Sequence, residues 1–112
     1  MNELANKHCK PCDGGVQPMT QAQAQAVAKQ VNPGWQLSSD AKSIRREWQF
    51  KNFYRTMSFV NAVAHIANSE DHHPDLEVGY NYCRMKFSTH AIGGLSENDF
   101  ICAAKIDALP TG

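Results

Sequence analysis

The sequence predicts an α+β fold: a four-stranded antiparallel sheet with three helices packed on one face, in the order α-β-β-α-β-β-α. Three observations carry this. Phe53, Met57, Val60, Ala64 and Ala67 recur at the helical period through a stretch free of Gly and Pro. Two pairs of short alternating segments are each separated by a few turn-forming residues, which favours antiparallel hairpins. A dense set of helix-start signals stands at residues 95–100.

Each element has its own warrant. Residues 1–18, punctuated by Pro11, Gly14, Gly15 and Pro18, read as a cysteine-containing tail or cap ahead of a single domain over 19–112. Removing residues 1–15, which lie outside the histidine-bearing motif, is expected to leave catalysis nearly intact. Thr20 with Gln23 is a capping-box pattern, and it predicts a helix over 20–31, stopped by Asn32, Pro33 and Gly34. Strands follow at 35–38 and 43–50 around a turn at 39–42. In the second, Ile44, Trp48 and Phe50 share one parity, which Arg46 breaks. The long helix is expected over 52–68, buried along its Phe53, Met57, Val60, Ala64 and Ala67 stripe. Pro74 ends helical geometry and holds His73 extended, so the histidine pair falls on a helix-to-strand connection. Strands at 75–78 and 82–89 flank a turn at 79–81, and His90 ends the second. Leu95, Ser96, Asp99 and Phe100 occupy N′, N-cap, N3 and N4 of the last helix, an acidic capping box with a hydrophobic staple, and Pro110 stops it.

Composition excludes several classes. The chain has 112 residues, the size of one domain, with 11 Lys plus Arg balanced by 11 Asp plus Glu. No basic run could track phosphates, so direct nucleic-acid binding is not expected. No segment approaches the ~20 apolar residues of a membrane span, and the amino terminus lacks an apolar signal core. This reads as a cytoplasmic protein whose cysteines at 9, 12, 83 and 102 stay reduced. Four strands leave two sheet edges, which are templates for self-association.

Chemistry concentrates in SEDHHPDLEVGYNYCRMKFSTH, where three histidines and four carboxylates occupy a fifth of the chain. Metal ligation is disfavoured, because neighbours such as His72 and His73 on extended backbone point to opposite sides. Imidazoles titrate near neutrality, so His72, His73 and His90 suit metal-free proton transfer. Loop histidines that merely solvate a turn remain the open alternative. Asp99 is explained by capping alone, and Trp35 and Trp48 either stack a flat heterocycle or pack a core. HCKPC supplies His8, Cys9 and Cys12, too few ligands for a structural zinc site. A thiol or zinc module and incidental thiols both stay open.

DHHPD, then Tyr80, then STH ending at His90, then GLSENDF, together resemble the pterin-4a-carbinolamine dehydratase family, also called 4a-hydroxytetrahydrobiopterin dehydratases. The resemblance extends through FKNFYRTMSFVNAVAHIANSE and covers about residues 33–108. The cysteine-bearing tail resembles an extension of some bacterial members. The resemblance implies a four-stranded antiparallel sheet with three helices and an enzyme acting on the 4a-hydroxy tetrahydropterin made by aromatic amino-acid hydroxylases. His72, His73 and His90 then map to catalytic histidines, with His73 as the central acid–base group. Asp99, Trp35 and Pro74 map to the substrate pocket, with no metal and no cofactor. A homodimer or homotetramer is implied, with a phenylalanine hydroxylase as candidate partner. The alternative it leaves open is a binding role, as a dimerisation cofactor for a transcription factor or a regulator of phenylalanine hydroxylase.

Overall fold

Side-chain chemistry sets the helix starts. In the computed structural model, which describes residues 3–11 and 16–110, Thr20 caps α1 (Gln21–Ala28) and exchanges hydrogen bonds with Gln23 as a capping box. Asn52 caps α2 (Phe53–Glu70), its side chain accepting from the Arg55 N–H at 3.0 Å. Ser96 caps α3 (Glu97–Asp107), and the N3 carboxylate of Asp99 reaches back to the Ser96 N–H at 3.0 Å. A 3₁₀ turn at Glu3–Asn6 precedes these elements.

The strands are β1 (Gln36–Leu37), β2 (Ile44–Gln49), β3 (Asp75–Val78) and β4 (Tyr82–Phe87), all antiparallel, in the spatial order β1-β2-β4-β3. Three helices and this sheet give the expected α+β fold. Register places Ile44 opposite Phe87 and Trp48 opposite Cys83, so the apolar sides of the two central strands meet on one face. There they join Ala24 of α1, Phe59 and Val63 of α2, and Phe100 and Ile106 of α3 in one core. The other face carries Arg45, Glu47, Arg84 and Lys86.

Several expectations are corrected. Arg46 faces the core side, yet it breaks nothing. Its guanidinium lies 4.6 Å from the Trp48 ring centre and bonds Asp107 at 2.6 Å, so the charge is stacked and paired. The stripe that α2 buries is Thr56, Phe59, Val63 and Ala67. Of the expected stripe only Ala67 is fully buried and Val60 packs against the core, whereas Phe53 is 51% exposed and Ala64 faces outward, because Phe59 packs against Trp48 and Phe50 instead. Thr56 enters the interior because its hydroxyl donates to the carbonyls of Asn52 and Tyr80. β4 ends at Phe87, and His90 opens a 3₁₀ turn, His90–Ile92. Thr89 pairs with Gly94 instead of continuing the strand, closing that turn into a small loop.

The amino terminus packs against the domain. Residues 3–11 form a strap bound along α3, with Leu4 only 3% exposed in the core. Lys105 donates to the Ala5 carbonyl at 2.8 Å, Lys7 pairs with Glu97, and Asn98 bonds both the N–H and the carbonyl of Lys10 at 3.0 and 2.6 Å. This explains why α3 buries Asn98, Phe100, Ile101, Cys102, Ala103 and Ala104, which ring the helix. A helix apolar all round needs cover on two sides. Cys12 lies outside the described residues.

Candidate active site

The site forms where α2 ends, β4 ends and α3 begins. α2 closes at Asp71 in the left-handed conformation, φ 52°, with its N–H on the last helical carbonyls, and the chain turns sharply into His72 and His73. Pro74 then holds the chain extended into β3. The 3₁₀ turn after Thr89 delivers His90 from the far side.

A cavity of about 480 Å³ results, lined by His72, His73 and His90 together with Asp71, Ser88 and Thr89. Ala91 and Glu70 complete the histidine side, and the opposite wall is the strap, Cys9, Lys10 and Pro11, with the residue that anchors it, Asn98. The volume suits a small ligand. A larger groove of about 600 Å³ crosses the charged sheet face and contains no histidine.

His72 is the most constrained of the three. Its side chain is 12% exposed, its ring lies parallel to Phe87 at 5.9 Å, and Nε2 sits 2.6 Å from Asp99 Oδ1. Asp99 is fully buried, and its other oxygen accepts from the Thr89 hydroxyl at 2.8 Å and the Ser96 N–H at 3.0 Å. Carboxylate oxygens accept, so a neutral His72 ring donates from Nε2 and keeps Nδ1 as its basic nitrogen. One residue therefore caps a helix and sets a histidine tautomer. His73 and His90 are exposed, and His73 Nε2 is 3.2 Å from Asn68 Oδ1, one turn back on α2.

The other two mapped residues lie elsewhere. Trp35 is 6% exposed in the core, edge-on to Trp48, with its indole N–H donating to Asp107 at 2.8 Å, and it does not line this cavity. Pro74 is half-buried behind His73 and is likewise not among the lining residues. Sequence reasoning missed Thr89, Asn98, Glu70 and the strap. The signal for a cover on α3 was the apolar run ICAA, which a one-sided helix would not carry.

Glu70 ties the strap to the end of α2. Its carboxylate, 7% exposed, accepts from the Cys9 N–H at 2.7 Å and contacts His8 at 3.0 Å and Lys105 at 3.8 Å. Burial pushes this carboxyl up, but the Cys9 N–H, the His8 ring and the Lys105 ammonium together hold it below its ordinary value. Among the described residues, no group of three metal-ligating side chains converges.

Residues 17–109 match the model of the family described as pterin 4 alpha carbinolamine dehydratase. The chain belongs to that family. A Nitrosomonas eutropha protein, provisionally named pterin-4-alpha-carbinolamine dehydratase, is 58% identical over 96% of this chain and 93% of its own. One from Legionella pneumophila with the same provisional name is 55% identical over 96% of both chains. The crystal structure of a transcriptional coactivator/pterin dehydratase from Brucella melitensis is similar at a TM-score of 0.76 and 28% identity, over 82% of this chain and 97% of that one. Since the Nitrosomonas similarity spans 107 of 112 residues, most of the strap belongs to it, although the family model begins at residue 17. Within this dehydratase family member, then, the strap lines the histidine cavity.

Proposed function

We propose that the protein is a 4a-hydroxytetrahydrobiopterin dehydratase, a carbon–oxygen lyase that returns the spent cofactor of aromatic amino-acid hydroxylases toward its usable form. The observation that carries this reading is the convergence of His72, His73 and His90 on one cavity, with His72 fixed by the buried Asp99. Family membership supplies the pterin.

The reaction breaks the C4a–O bond, takes the N5 proton and releases water, leaving quinonoid dihydropterin. One group must accept a proton while another supplies one to the departing hydroxyl, and imidazoles near neutrality do both. In this proposal His73 is the central acid–base group. His72, its Nε2–H anchored on Asp99, offers Nδ1 as a base, and His90 serves the opposite side of the ring. Trp35 and Pro74 act indirectly here: Pro74 through the backbone of His73, Trp35 through the core beneath Phe87, on which His72 stacks. No metal is required. Turnover of chemically generated substrate by purified protein tests the reading. A protein that binds the pterin without accelerating water loss would overturn it.

We also propose that the protein self-associates as a dimer or tetramer. Edge strand β3 is exposed along its whole length, with Leu76 and Val78 at 37% and 38%, and the outward stripe of α2 shows Phe53 and Tyr54 at 51% and 80%. A binding role, of the kind the Brucella protein's coactivator name describes, would use such surfaces and leave the cavity free. A phenylalanine hydroxylase is the partner this would serve. Light scattering at micromolar concentration decides the first point, since a fully active monomer would refute it.

A further inference from the structure

Two thiols 93 residues apart in sequence meet where the strap crosses α3. Cys9 Sγ lies 3.6 Å from Cys102 Sγ. The backbone on both sides is pinned: the Cys9 N–H donates to Glu70, the Lys10 N–H and carbonyl bond the Asn98 side chain, and Cys102 sits in mid-helix. We propose that Cys9 and Cys102 form a reversible disulfide, made by a hydroperoxide and broken by a dithiol, that fastens the strap to α3 as a wall of the histidine cavity.

Access and burial divide the labour. Cys9 is half-buried and lines the cavity, where a small peroxide can reach it, whereas Cys102 is fully buried and can react only with a neighbour. The contact with Cys9 and the burial of Cys102 both push the Cys102 thiol well up, which leaves Cys9 as the thiol that meets the peroxide first. In the first step the Cys9 thiol takes one oxygen from the hydroperoxide, giving a sulfenic acid and an alcohol, or water from hydrogen peroxide. In the second, the Cys102 sulfur displaces that hydroxyl, the S–S bond forms and water leaves with the Cys102 proton. The peroxide is reduced by two electrons and the two thiols are oxidised by two. A dithiol reverses the bond by exchange.

Closing the gap requires the sulfurs to approach from 3.6 Å to about 2.05 Å, within reach of side-chain rotation and a small strap shift. Cys83 is no competitor, as it is fully buried on the core face of β4 and burial pushes its thiol up to about 11. Oxidation also removes the S–H through which Cys102 contacts the His72 carbonyl at 3.9 Å, so the thiol state is felt at the histidine pair.

The test uses the full reduced chain, treated in its native state with one to two equivalents of hydrogen peroxide, then alkylated in denaturant and mapped by peptide mass. The expected product is a Cys9–Cys102 cross-link, with Cys12 and Cys83 alkylated, which dithiothreitol reverses. Because the bond closes most of the chain into one loop, the unfolding temperature of the oxidised protein should rise by ~10 °C or more. Cys102→Ser should leave Cys9 as a sulfenic acid that dimedone traps, and Cys9→Ser should leave Cys102 reduced. A dominant Cys9–Cys12 bridge, a cross-link between chains, or Cys9 over-oxidised beside a free Cys102 would each overturn the proposal. These readouts are bonds and melting, so their failure is distinct from failure of the pterin reading.

Discussion

Asp99→Asn separates the two jobs of one carboxylate. Asn has the same shape and caps helices as well as Asp, so its oxygen can keep the Ser96 N–H and Thr89 hydroxyl that Asp99 Oδ2 now accepts. Its amide nitrogen must then face His72 Nε2, which is 2.6 Å from Oδ1 in the native protein. Two donors cannot share that contact, so the imidazole proton moves to Nδ1 and the proposed base becomes a donor. The lost charge-assisted hydrogen bond is worth about 1.5–3 kcal/mol. At 1.36 kcal/mol per tenfold in rate, kcat should fall by about 10- to 10²-fold, and the loss of folding stability should not exceed the same ~1.5–3 kcal/mol. The assay is a cycle on the 4a-hydroxy substrate: wild type, Asp99→Asn, His72→Ala and the double variant, each with a urea melt. In the His72→Ala background the Asn change should cost less than about twofold, since the histidine through which it acts is gone. An equal loss in both backgrounds would refute the coupling, and so would a ¹⁵N spectrum showing an unchanged His72 tautomer in Asp99→Asn.

Three further outcomes are expected. His73→Ala should lower turnover by ~10²- to 10⁴-fold with the fold intact by circular dichroism. His72→Ala and His90→Ala should each cost less, while their double variant costs more than the product; independent effects would remove His73 from its central role. Asp107→Ala strips the acceptor from the Trp35 indole, the Arg46 guanidinium and the Asn32 N–H, and should destabilise by about 2–4 kcal/mol in urea unfolding followed by tryptophan fluorescence. The depressed Glu70 carboxyl stabilises the fold above its ordinary value of 4.5, and this contribution is lost as pH falls through the lower folded value. The stability gap between wild type and Glu70→Gln should therefore be full at pH 7 and shrink toward zero below pH 4.5. A gap that persists at pH 3 would show that Glu70 acts through packing alone.

What could be read from the sequence was whatever rests on local chemistry. The staple and capping box at 95–100 named the start of α3 to the residue, and Thr20 with Gln23 did the same for α1, because a cap is a contact between residues three apart. Pro74 likewise fixed the end of helical geometry before β3. Long-range pairing was opaque. Arg46 looked like a parity error only because its partner Asp107 is 61 residues away. Two stripes three or four residues apart run along α2, and the choice between them rested on where Trp48 and Phe50 stand in the sheet. The strap was hidden for the same reason. It holds on by contacts to Glu70, Asn98 and Lys105, none of which is periodic. In the site, the histidines were legible as a cluster, whereas the carboxylate under His72 seemed accounted for by its cap.

The most direct measurement is single-turnover dehydration of freshly generated 4a-hydroxytetrahydropterin by purified, chelator-treated protein, followed by the absorbance of the quinonoid product against the uncatalysed rate. The account predicts rapid catalysed loss of water that chelation leaves unchanged and that His73→Ala reduces at least ~10²-fold. A rate equal to the uncatalysed one, or activity that returns only on adding a metal ion, would contradict it.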